Sequence, residues 1–120
     1  MKLIQTVGII FNSRAPKAVS MADDVQRNVS ETHDCWKEEA GGVARRPELA
    51  TTDLLITVGG DGTILRAAQA AAPHRVPILG INLGRLGFMT ELSAEEALMK
   101  LPSFLDGGGW LEERSMVQVS

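Results

Sequence analysis

The sequence restricts its own reading most through what it withholds. Cys35 is the only cysteine in 120 residues, which excludes an internal disulfide and fits a reducing compartment. No segment approaches the ~20 consecutive apolar residues of a membrane span. Basic blocks and stripes are missing too: residues 1–60 hold seven basic and eight acidic side chains, residues 61–120 five and seven, for a net charge of −3. That even balance leaves no electrostatic footprint for nucleic acid. Tyrosine is absent, with two tryptophans and three phenylalanines, so an aromatic on a loop carries weight. There is no internal repeat and no low-complexity tract. The common phosphate-loop signatures are also absent. No lysine follows a glycine as G-x-x-x-x-G-K-[ST] requires, and residues 60–65 do not complete G-x-G-x-x-G.

What is present fits one domain. A chain of this length buries roughly 65–70% of its unfolded surface, and 44% hydrophobic with 22% charged residues is ordinary for a globular protein. The opening MKLIQTVGIIF pairs a lysine with apolar residues, but Gln5, Thr6 and Gly8 interrupt it and no small-residue cleavage site follows. A buried first strand explains it better than a secretion signal, and the expected address is the cytoplasm. Asn28-Val29-Ser30 matches a glycosylation acceptor that this address leaves without a role.

Apolar runs then alternate with helical patterns. Leu3–Phe11 reads as a strand, Asn12-Ser13-Arg14 as the turn after it, and Pro16 as the first position of a helix to Val29. Val19, Ala22, Val25 and Val29 would share that helix's buried face. His33–Lys37 reads as a short edge strand, and Gly41-Gly42 with Arg45-Arg46-Pro47 as a polar connection. Leu54–Val58 is apolar without alternation, as a strand covered on both faces should be. A helix over Thr63–Ala72 ends at Pro73, and Val76–Ile81 is another strand. Ser93 and Glu96 form a capping box for a helix to about Leu101, Asp106 to Gly109 break the chain, and Leu111–Ser120 looks extended. The pattern predicts an α/β fold: a three-layer, Rossmann-like parallel sheet flanked by helices. Ligands of such sheets bind beyond the carboxyl ends of the strands. Residues 59–63 and 82–88 both follow strands, so they should lie at one edge of the sheet.

Two stretches carry chemistry. LLITVGGDGTILRAA at 54–68 drives a strand through glycines into a helix. Glycines admit close backbone approach, and a helix N-terminus offers free N–H groups to phosphate, with Thr63 placed to cap it. Asp61 is the odd member, since a carboxylate beside phosphate is repelled unless it has another task. It can accept a proton from an attacking hydroxyl or hold the magnesium accompanying a nucleoside triphosphate; both tasks imply phosphoryl transfer. The competing reading is a tight turn in which Asp61 bonds its own backbone. In GINLGRLGFMTEL at 80–92, Phe88 either stacks on a purine or fills the core beneath the loop. Arg85 either meets a phosphate or is solvated. His33, Cys35 and His74 supply no convincing metal set, because only His33-x-Cys35 is local. Trp36 and Trp110 read as core or hinge packing.

GGDGT at 59–63 together with NLGRLGFMTE at 82–91 resembles the N-terminal domain of bacterial NAD kinases (ATP-NAD kinases). GGDGT alone is shared with diacylglycerol and sphingosine kinases; the second motif separates NAD kinases from them. The resemblance runs from about Asp53 to Val119, and before that rests on the first strand and the Asn12–Lys17 turn. It implies transfer of the γ-phosphoryl group of ATP to the 2′-hydroxyl on the adenosine ribose of NAD, giving NADP, with magnesium as the accompanying ion. Asp61 matches the family's proposed base. Gly59, Gly60, Gly62 and Thr63 match its phosphate-facing turn, with Asn12 and Arg66 as further nucleotide-binding candidates. Phe88 matches the aromatic that packs on the NAD adenine, and Asn82, Gly84, Arg85 and Gly87 match the loop presenting it. A homo-oligomer is the expected assembly at full length.

The chain departs from the family in one respect. Members continue into a β-rich second domain with an Asn-Glu motif that grips NAD, and none of Asn12, Asn28 or Asn82 precedes an acid. The expectation is a partial chain: residues 1–110 as the nucleotide-binding domain, 111–120 as the start of a crossover into the second. Two alternatives stay open, a lipid kinase domain of the diacylglycerol type and a non-catalytic nucleotide-binding module.

Overall fold

The computed structural model describes residues 4–82. Four strands, β1 (Thr6–Phe11), β2 (Asp34–Glu39), β3 (Leu54–Gly59) and β4 (Ile78–Asn82), form one wholly parallel sheet in the order β2-β1-β3-β4. Two helices connect them, α1 (Pro16–Val29) between β1 and β2, and α2 (Asp61–Ala71) between β3 and β4. The helix expected after Ser93, the break at Asp106–Gly109 and the extended Leu111–Ser120 lie outside the described residues.

Each strand alternates between two cores. Val7, Ile9, Leu54, Ile56 and Val58 pack with Ala18, Met21, Ala22, Val25 and Val29 of α1. Ile10, Leu55 and Ile78 pack on the opposite face with Ala67 and Ala71 of α2. Helices on both faces leave the strands no solvent side, which is why 54–58 is apolar without a break. Full burial of side chains of the size of Ile9, Ile56 or Leu55 contributes about 1.5–3 kcal/mol each. β1 carries a glycine in mid-strand because the Trp36 indole crosses it. A Cβ at Gly8 would lie 2.4 Å from that ring and 2.8 Å from the Leu55 side chain. The Trp36 N–H donates to the Thr52 hydroxyl at 3.0 Å, so the ring packs as expected and finds a polar partner.

Several expectations need correcting at this level. The α1 face is completed by Ala18 and Met21, while Val19 is half-buried. Leu3 lies outside the described residues; among those described, β1 starts at Thr6 after Ile4 and Gln5, where the Asp53 carboxylate accepts the Gln5 and Thr6 N–H groups, both at 3.0 Å. The 41–53 connection is not simply polar. It forms two short 3₁₀ turns, Val43–Arg45 and Pro47–Thr51, that bury Val43 and Leu49 under the sheet. Arg46 fastens it, donating to the Lys37 carbonyl at 2.8 Å and lying 4.9 Å over the Trp36 ring. Its guanidinium also pairs with Glu38 and Glu48, each at 3.1 Å.

Candidate phosphate-binding cleft and carboxylate

The strand order fixes where a ligand can sit. The chain leaves β1 through α1 toward β2 and leaves β3 through α2 toward β4, so the loops after β1 and β3 diverge. That divergence opens a crevice at the carboxyl ends of the two central strands. A cleft of about 440 Å³ occupies it, within the usual ~300–1,000 Å³ of small-molecule sites. Three corners line it: Asn12, Ser13 and Arg14 after β1; Glu39 at the end of β2 with Ala40 and Gly41 after it; Gly60, Gly62, Thr63 and Arg66 after β3. The lining is polar and carries both signs of charge.

The GGDGT turn divides its glycines between two jobs. Gly59 has φ +156°, and a Cβ there would lie 2.6 Å from the Thr63 hydroxyl and 3.2 Å from the Asn12 Cβ. Glycine at 59 is a packing requirement. Gly60 and Gly62 differ, because a Cβ at either would meet nothing within 4 Å. Gly60 is the N-cap of α2 in an ordinary extended conformation, φ −118° and ψ −161°, and Gly62 sits in the first helical turn. A helical glycine costs roughly 0.5–1 kcal/mol relative to alanine, and no described protein atom accounts for it here. The open space faces the cleft.

Helix α2 begins two residues earlier than its periodicity predicts, and this corrects the capping role given to Thr63. Gly60 caps through its carbonyl, which accepts the N–H groups of Thr63 at 3.1 Å and Ile64 at 3.2 Å, without any side-chain cap. Thr63 lies inside the first turn and is buried against Gly59. The N–H groups of Asp61 and Gly62 precede the first intrahelical bond and stay available. They present the positive end of the helix dipole to the cleft.

Asp61 is exposed in this first turn, and among the described residues its carboxylate takes no hydrogen bond or ion pair. The self-bonded turn is therefore not what is found. Asp61 stands beside the cleft rather than in its lining. Arg66, one turn and a residue further on, is exposed with its guanidinium in the cleft. Asn12 does local work as well: its Oδ1 accepts the Arg14 N–H at 3.0 Å and shapes the turn after β1. Asn82 ends β4 and pairs in register with Gly59, so the strands preceding the two motifs end at the same edge of the sheet. Gly84, Arg85, Gly87 and Phe88 lie outside the described residues.

Sequence reasoning missed Ser13, Arg14, Glu39, Ala40 and Gly41 as cleft residues. The available signal was their place at or just after the ends of β1 and β2, since strand ends of one sense must share an edge. As for metal ligands, no cluster of three or more His, Cys, Asp or Glu occurs among the described residues. Burial pushes the Cys35 thiol up to about 11, which keeps it protonated and a poor ligand at neutral pH. No helix among the described residues is long and apolar enough to cross a membrane.

Residues 37–109 match the family model of the ATP-NAD kinase N-terminal domain. The chain is 39% identical over 118 residues to an NAD kinase of Dehalococcoides mccartyi, covering 97% of this chain and 42% of the relative. It is 46% identical over 122 residues to an NAD kinase of Chloroflexus aggregans and 34% identical over 122 residues to one of Chloroflexus aurantiacus. Both alignments cover 97% of this chain and 43% of the relative. The chain thus spans less than half the length of the curated relatives it matches.

Proposed function

The chain belongs to the ATP-NAD kinase family, over that family's N-terminal domain, and we propose that it supplies the donor side and the base of an NAD kinase site. The reaction moves the γ-phosphoryl group of ATP to the 2′-hydroxyl on the adenosine ribose of NAD, giving NADP and ADP. One observation carries the reading: Gly60 and Gly62 leave unfilled space at a helix N-terminus inside the cleft, beside an exposed carboxylate with no described partner.

The chemistry follows from charge. Catalysis of phosphoryl transfer is mostly positioning and electrostatic stabilisation. The free N–H groups of Asp61 and Gly62, the α2 dipole and the Arg66 guanidinium stabilise negative charge along the triphosphate. Asp61, clear of the lining, faces the acceptor and takes the proton from the 2′-hydroxyl as its oxygen attacks phosphorus. A magnesium ion fits this donor set, because such ions are held by one or two carboxylates with the remaining positions on phosphate and water. Bound there, it would neutralise phosphate charge, with Asp61 as the available carboxylate. Asn82, Gly84, Arg85, Gly87 and Phe88 form the NAD-binding loop in this reading, and a cytoplasmic homo-oligomer completes it.

The test is Asp61→Asn in a protein of the relatives' full length that carries this domain. NADP formation should fall by ~10²–10⁴-fold, well beyond any loss of calorimetric ATP affinity. Unchanged turnover would reduce Asp61 to a helix-terminus charge.

A further inference from the structure

The wall of the cleft opposite α2 belongs to the end of β2. Glu39 closes that strand, and its Oε1 accepts a hydrogen bond from the Ser13 hydroxyl at 3.4 Å. A Cβ at Gly41 would lie 3.1 Å from Glu39 Oε1 and 3.7 Å from the Arg66 Nη1. A carboxylate and a guanidinium therefore converge on one bare backbone position, yet they form no ion pair with each other. Both are exposed and both line the cleft. The cleft thus has a corner at Gly41 flanked by the Glu39 carboxylate and the Arg66 guanidinium, in addition to the α2 N-terminus at Gly60 and Gly62.

A carboxylate cannot hold a phosphate, and it accepts hydrogen bonds without donating any. Whatever part of a ligand reaches Glu39 must bring donors. A nucleoside triphosphate whose phosphates lie along Gly60 and Gly62 has one such group a short distance away, the pair of hydroxyls on its ribose. An acidic side chain reading ribose hydroxyls beside a strand end is an established solution in doubly wound sheets. We propose that Glu39, oriented by Ser13, is a specificity-determining residue that accepts hydrogen bonds from the ribose hydroxyls of the phosphoryl-donor nucleotide. Its charge disfavours a bare polyphosphate chain in the same cleft. The inference rests on the phosphoryl-transfer reading above and names a residue that would favour its nucleotide donor over a bare polyphosphate.

Calorimetry of a protein of the relatives' full length that carries this domain, with magnesium, against ATP, 2′,3′-dideoxy-ATP and inorganic tripolyphosphate tests it. The wild type should bind ATP roughly 10- to 100-fold more tightly than the dideoxy analogue, the worth of hydrogen bonds to a charged acceptor. Glu39→Ala should abolish that ratio and tighten tripolyphosphate binding; Ser13→Ala should reduce the ratio in the same direction. The wild-type ratio needs no variant to fold, and circular dichroism checks those that are made. Equal wild-type affinity for ATP and its dideoxy analogue overturns the Glu39 assignment alone. Failure of the wild type to bind either ATP or tripolyphosphate overturns the phosphoryl-transfer reading and this inference with it.

Discussion

Gly62→Ala should make the unliganded protein more stable and a worse nucleotide binder. The added methyl meets no described protein atom within 4 Å, so the fold accommodates it without strain. Alanine loses less backbone entropy on entering a helix, and such replacements at compatible sites stabilise by about 0.4–1 kcal/mol. For a domain near 100 residues that is a rise of roughly 2–8 °C in melting temperature. The same methyl projects where the cleft must admit phosphate to the free N–H groups of α2. A displacement on the order of 1 Å there costs about 100-fold in a positioned reaction, and ATP affinity should drop at least tenfold. Gly60 is a less clean choice, because alanine caps helices worse than glycine. Thermal melts with and without ATP read both effects at once: a higher baseline and a smaller ligand-induced increment. A raised melting temperature with the ATP increment intact would refute the claim that glycine is kept at 62 for a ligand.

Two further outcomes concern the scaffold. Burial raises the Cys35 thiol to about 11, so its contribution to stability is complete below the unfolded value near 9 and fades as pH climbs through 11. A thiol reagent at pH 8 should label it far more slowly than the urea-unfolded chain, and unfolding free energy should decline over that window less in Cys35→Ala. Arg46→Met should cost about 1–3 kcal/mol in urea unfolding, because the Lys37 carbonyl and the Glu48 carboxylate lose a half-buried donor. A change below about 0.5 kcal/mol, the range of ordinary surface sites, would show that the 41–53 connection is held by Val43 and Leu49 alone.

The parallel sheet was legible because burial on both faces leaves a mark in sequence. Unbroken apolar runs at Leu54–Val58 and Val76–Ile81, with a helix period between them, admit few other folds. The β2 strand was harder to read, since DCWKEE is mostly polar and earns its place by pairing with β1. Arg46 falls in a stretch whose sequence reads as a polar loop, because spacing does not show that a guanidinium will stack on a tryptophan ten residues back. The same blindness hid Glu39 and Ser13, which are 26 residues apart and meet only because parallel strands end together. Motif residues at 59–66 were visible since one corner supplies them in a continuous run. The opposing wall of the cleft comes from two other corners and has no contiguous signature.

The register explains why the two kinds of glycine must be neighbours. The Asn12 N–H donates to the Val58 carbonyl at 3.1 Å, extending the β1–β3 ladder one step past the strand and drawing the Asn12 side chain over Gly59. Thr63, in the first turn of α2, closes on Gly59 from the other side. The backbone at 59 is thus the pivot on which the turn after β1 and the helix after β3 approach each other. One residue later the same backbone is open to the cleft. Gly59→Ala should behave opposite to Gly62→Ala. Its Cβ would lie 2.6 Å from the Thr63 hydroxyl at a φ that side chains rarely adopt, for a combined cost of about 1–3 kcal/mol. ATP affinity should fall with it, because relief of the clash moves α2 away from the turn carrying Asn12. Thermal melts of the two variants side by side give the decision. Opposite shifts in melting temperature with a shared loss of ATP binding support the division of labour within GGDGT, and shifts of the same sign defeat it.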